Sequence, residues 1–65
     1  MERDAKKGET LWHRVNKVEL VVEEVDQEKR RALCTFALGD GLGQHWFAFE
    51  NVTDKRPKTG VVGTF

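Results

Sequence analysis

Apolar and polar positions alternate along most of this chain. In "VELVVEEV", Val18, Leu20 and Val22 take one parity while Glu19, Val21 and Glu23 take the other. That period of two is the mark of a half-buried strand. Glutamate favours helices, but four valines in eight residues lose rotamer freedom on a helix and fit a strand better. Val25 falls on the wrong parity, so a bulge or a sharp coil is expected to return it to the core side. Upstream, "ETLWHRV" sets Leu11, His13 and Val15 against Trp12 and Arg14. It predicts a short strand, with a turn near Asn16 and Lys17.

The second half continues the alternation. In "RALCTFAL", Ala32, Cys34, Phe36 and Leu38 share one face, and Arg31, Leu33, Thr35 and Ala37 share the other. The first set is the more aromatic and is assigned to the core. "GDGLG", residues 39–43, predicts a hairpin turn, because glycine supplies positive φ and Asp-Gly is a strong turn signal. "QHWFAFENV" returns as a strand, with Phe47 and Phe49 pointing one way with His45, and Trp46 and Ala48 the other. The phenylalanine side is assigned to the interior by its larger apolar area. "DQEKR" is a hairpin loop, and "ENVT" a single tight turn of 3₁₀ type.

These readings divide the chain into a flexible polar lead-in over residues 1–8, a folded unit over 9–53, and a polar loop with a short closing strand or tail over 54–65. The closing strand would be "VVGTF", paired with the first strand. The fold class is all-β. A flat sheet of four strands would expose one face and both edges, so the predicted architecture is a small, five-stranded, partly open barrel.

Length narrows the function. Sixty-five residues make one domain at most, burying only about 60% of the unfolded surface. Such a domain has no room for an enclosed active site beside its core. Charged residues are 34% and apolar residues 38%, which suits a globule with a small core. Eleven basic and eleven acidic side chains cancel, so no long-range field draws the chain to nucleic acid or an anionic membrane. The single cysteine, Cys34, lies in an apolar run and reads as a buried, inert thiol. No stretch approaches the ~18 apolar residues of a membrane helix, and the N-terminus lacks the apolar core of a signal peptide. The expectation is a cytoplasmic protein with no membrane partner.

Four segments together, "KKGETLW", "VELVVEEVD", "ALCTFALGDG" and "HWFAFENV", resemble the small SH3-like barrels of bacteria and phages, and the tudor-like barrels that share their layout. The features are Gly8 before the first strand, a long second strand from Val18 to Val25 with an acidic end, Cys34 two residues before Phe36, and Phe49 just before Glu50-Asn51-Val52. The resemblance spans residues 6–53 and implies an SH3-like barrel with no particular chemistry. The ligand groove of eukaryotic SH3 domains uses tyrosines. This chain has none, so proline-rich peptide binding does not carry over.

The candidate chemistry is sparse. His13, His45 and Cys34 are the only soft ligands and stand at no metal-binding spacing, so neither a metal nor a cofactor is expected. No catalytic residue is assigned: a thiol among Leu33, Thr35 and Phe36 is raised in pKa and silenced. "GDGLG" is not a phosphate loop, since neither a Lys-Ser/Thr pair nor a helix follows it.

Two binding readings remain. The first is a protein partner or a second copy of the chain, gripped by an outward aromatic patch of Trp12, Leu33 and Trp46, with Val21 beside it. The alternative is weak nucleic-acid binding through Lys29, Arg30, Arg31, Lys55, Arg56 and Lys58, with the tryptophans stacking on bases. Glu19, Glu23, Glu24 and Glu28 balance those cations, which ranks the nucleic-acid reading second.

Overall fold

Strands form where the alternation predicts them. The computed structural model describes residues 3–57. It contains β1 (Thr10–His13), β2 (Glu19–Asp26), β3 (Arg31–Leu38), β4 (Gly41–Ala48), a 3₁₀ turn (Phe49–Asn51) and β5 (Val52–Thr53). All pairings are antiparallel, in the order β4-β3-β2-β1-β5. The sheet curls into a half-barrel, consistent with a small SH3-like barrel. No helix among the described residues is long and apolar enough to cross a membrane.

One parity of each strand fills the concavity. Leu11, Leu20, Val22, Ala32, Cys34, Phe36, Phe47, Phe49 and Val52 are buried there, with Val18 and Ala5. Both phenylalanines assigned to the interior are inside. The expected bulge is present as a shift of register between Val22 and Glu24. Glu23 is the extra residue, and the shift returns Val25 to a place opposite Ala32, packed against the core.

The β3–β4 hairpin is tighter than the glycine cluster suggests. Leu38 already pairs with Gly41, leaving Gly39 and Asp40 as a two-residue turn. Gly39 has φ of 59° and Asp40 is not among the positive-φ residues, which matches a II′ turn with glycine first. Gly39→Val is therefore expected to lose about 1–2 kcal/mol, the strain of a left-handed side chain. Gly41→Ala meets nothing within 4 Å and has an ordinary φ. Urea unfolding should separate the two variants; equal midpoints would refute the turn assignment.

Several expectations are corrected. Leu38 is 46% exposed, because it ends β3 at the hairpin, beyond the last core residue Phe36. Val15 is exposed because β1 stops at His13 and the chain turns through Lys17, whose φ is 62°. Within the lead-in, residues 3–8 make contacts with the sheet: Ala5 is buried, Gly8 N–H donates to Val22 O at 2.8 Å, and Arg3 pairs with Glu9 and with Asp54. Gly8, at φ 85°, makes the bend that allows this. The fifth strand is Val52–Thr53, paired with β1 straight after the 3₁₀ turn. The "VVGTF" segment assigned to that role lies outside the described residues.

Candidate functional site

The sequence-predicted patch divides in two. Thr10, Val21, Thr35 and Gln44 form one row across β1, β2, β3 and β4 on the outer face. Trp12 lies two residues beyond that row in one direction. Trp46 lies two residues beyond it in the other, because β1 and β4 run oppositely. The indoles thus stand three strands and four residues apart, about 14 Å across and about 13 Å along the sheet. Between them runs a polar line, in which Gln44 donates to Thr35 Oγ1 at 3.2 Å and Thr35 Oγ1 donates to Glu23 at 3.1 Å. Both indoles are half-buried. Trp12 sits between Glu19 and Thr53.

Leu33 and Trp46 are brought together. They are direct cross-strand partners, and the Arg31 guanidinium lies 4.6 Å from the Trp46 ring centre. Arg31 in turn stands 3.7 Å from the Asp26 carboxylate. Cation–π and ion-pair contacts together hold Trp46 in one place, presenting a fixed aromatic surface beside β4.

The same contacts occupy the basic cluster. Arg30 reaches Asp4 at 3.6 Å and lies over the Phe49 ring at 5.4 Å. The Lys29 N–H is held by Asp26 Oδ1. Lys55 and Arg56 are exposed just after β5, and Lys58 lies outside the described residues.

Sequence reasoning missed the most distinctive surface, the outer edge of β4. Phe49 N–H donates to Arg30 O at 3.0 Å, which makes Arg30 and Phe49 a hydrogen-bonded pair. Pairs alternate along an antiparallel ladder. Arg31↔Ala48, Leu33↔Trp46, Thr35↔Gln44 and Ala37↔Leu42 are therefore the non-hydrogen-bonded ones. The N–H and C=O groups of Leu42, Gln44, Trp46 and Ala48 consequently point away from β3, toward the open edge. "GLGQHWFA" carries no formal charge and no proline, and its register with β3 is unbroken over eight pairs. Natural edges are normally blunted by charge, proline or a bulge. The opposite edge is blunted: β5 has two residues, followed by Asp54, Lys55, Arg56 and Pro57.

Beneath β4 opens a cleft of 440 Å³, lined by His13, Phe36, His45, Phe47 and Asn51 among others. His45 and His13 make edge-on ring contacts with Phe47 at 5.0 and 5.6 Å. His13 Nδ1 accepts from the Val15 and Asn16 N–H groups, and burial lowers its pKa. Both features favour the neutral ring. Cys34 lies across from His45 but is wholly buried, its Sγ 3.7 Å from the Ala32 carbonyl. Burial, with the Glu23 carboxylate adding to it, pushes the thiol up to about 11. Among the described residues, no three His, Cys, Asp or Glu side chains are grouped to hold a metal ion.

No family model, curated protein or solved structure matches this chain.

Proposed function

We propose that the chain is a small, non-enzymatic protein-interaction module of the SH3-like barrel type, working in the cytoplasm. Its contact surface is the β4 edge, with Trp46 and Leu33 beside it. The observation that carries this reading is the uncharged, unbulged eight-residue edge. An extended segment of another chain can add there as a sixth strand, gaining main-chain hydrogen bonds from Leu42, Gln44, Trp46 and Ala48. Trp46, already braced by Arg31, contributes aromatic area at little cost in side-chain order. A reduced, buried Cys34 fits a reducing compartment.

Nucleic-acid binding has less support. Arg30 and Arg31 both have acidic partners, and the two indoles lie at opposite ends of the face, so the stacking platform is divided.

The test is panning of a random-peptide library on immobilised protein, with Gln44→Pro as the counter-selection. Gln44 N–H points to the open edge, so proline there removes an intermolecular donor without breaking the ladder to β3. Enriched peptides should bind the wild type and not the proline variant. In parallel, single-stranded oligonucleotide should cause no salt-sensitive quenching of tryptophan fluorescence. Enriched peptides that bind both proteins equally well, or quenching that salt abolishes, would overturn the reading.

A further inference from the structure

We infer that the partner of the β4 edge is a second copy of this chain, paired antiparallel about a two-fold axis that passes through His45. This rests on the protein-interaction reading above and names its occupant. Four residues, Leu42, Gln44, Trp46 and Ala48, turn their main-chain groups outward, and they are spaced symmetrically about His45. In a two-fold antiparallel pairing each position faces its mirror position. Only the axis at His45 gives every outward residue an outward partner. Leu42 then faces Ala48 of the second copy, and Gln44 faces its Trp46. Any other axis leaves outward groups beyond the end of the ladder, where they stay unpaired.

The side chains agree with that register. Leu42 is 78% exposed in the single chain, an unusual position for a leucine on an edge strand, and it gains an apolar neighbour in Ala48 of the second copy. Gln44 meets the Trp46 ring, whose far side already carries Arg31. No like charges are opposed, because the strand carries no formal charge, and the whole chain has net charge zero. The edge is therefore complementary to itself in hydrogen bonding and opposes no like charges.

Size points the same way. A folded unit this small has a modest core, and oligomerisation is one of the usual ways such units gain stability. The chain has one cysteine, hence no internal disulfide. Joining two β4 edges turns two five-stranded half-barrels into one continuous sheet. It also removes the long unblunted edge from solvent, which a foreign peptide would do only while bound.

The register makes a specific prediction. On the axis, His45 faces its own copy as a non-hydrogen-bonded pair, with Cα atoms about 4.5 Å apart. That lies within the span a disulfide bridges, about 4.4–6.8 Å. His45→Cys, made together with Cys34→Ala because Cys34 is its cross-strand partner within one chain, should give a disulfide-linked dimer under mild oxidant, and the other cysteine variants are compared in the same background. Leu42→Cys and Gln44→Cys, whose mirror positions are not themselves, should link much more slowly. The wild type should not link, since Cys34 is buried. Sedimentation velocity over a wide concentration range should show the wild type as a dimer and Gln44→Pro as a monomer with an unchanged circular dichroism spectrum. If the proline variant fails to fold, the ranking of cysteine variants still decides. A wild type that stays monomeric throughout, with no preference for cross-linking at position 45, overturns the inference. Peptides that still bind the wild-type edge would in that case leave the interaction reading standing, whereas loss of both would remove the two together. Faster linking at position 42 or 44 than at 45 would overturn the axis.

Discussion

Phe49→Ala is expected to abolish cooperative folding near physiological temperature. Among the described residues Phe49 is the largest side chain that is fully buried. It starts the 3₁₀ turn that carries the chain from β4 to β5, its N–H is held by Arg30 O, and the Arg30 guanidinium covers the ring. Removing a buried phenyl ring costs about 3–5 kcal/mol, the sum of lost transfer energy and an unfilled cavity. A domain of this length has a total stability of about 3–10 kcal/mol at the usual per-residue value. The loss is therefore comparable with the whole. For a domain this small each 1 kcal/mol shifts the melting temperature by about 4–8 °C. Phe49→Leu keeps most of the volume and should cost far less, about 1.5 kcal/mol or below. Thermal melts followed by circular dichroism would decide. An alanine variant that melts within a few degrees of the wild type would show that the ring is not the keystone between the two edges of the half-barrel.

Alkaline pH should weaken the fold through Cys34. The thiol is raised from an ordinary 9.0 to about 11, because ionising it would place a charge in the core beside the Glu23 carboxylate's field. From pH 9 upward the unfolded chain loses this proton while the native chain keeps it. The unfolded state then binds fewer protons, and stability falls with rising pH until the native thiol also titrates near 11. Below pH 9 the contribution is fully present. Two pH units at about 1.4 kcal/mol each give a loss on the order of 2–3 kcal/mol. The chain has no tyrosine, so no phenol titrates in the same window. Cys34→Ala lacks the effect: its deficit relative to wild type, measured by urea unfolding under reducing conditions, should shrink between neutral pH and about pH 10.5. At neutral pH a thiol reagent should label native Cys34 only as fast as the protein opens. Parallel pH profiles for the two proteins, or labelling within the mixing time, would contradict the burial of this sulfur.

Both predictions rest on residues whose place is legible in the sequence, and the interaction surface does not. Alternation separates Phe47, Phe49 and Cys34 from Trp46 and Leu33, and the larger apolar and aromatic area assigns the first set to the inside. Alternation also locates the bulge near Val25, since a broken parity in a half-buried strand has few remedies. These are local properties: in a strand, the direction of a side chain follows from counting by two. Which strand lies at an edge depends instead on pairing between segments far apart in the chain. Nothing within "GLGQHWFA" states that it stands at the end of the strand order among the described residues. The same applies to the tryptophans. Parity places Trp12 and Trp46 on one face, but the registers of β1 with β2, β2 with β3 and β3 with β4 put them at opposite ends of it.

By itself, then, the sequence determined the all-β class, the inward residues, the hairpin at Gly39 and the 3₁₀ turn after β4, because a period of two and glycine's access to positive φ act over a few bonds. Tertiary structure alone decided that β5 is Val52–Thr53, that Ala5 is buried, that Leu38 is exposed and that, among the described residues, β4 is an uncharged edge strand. Those outcomes depend on cross-strand distances, and these are set by how the whole sheet curls around its core.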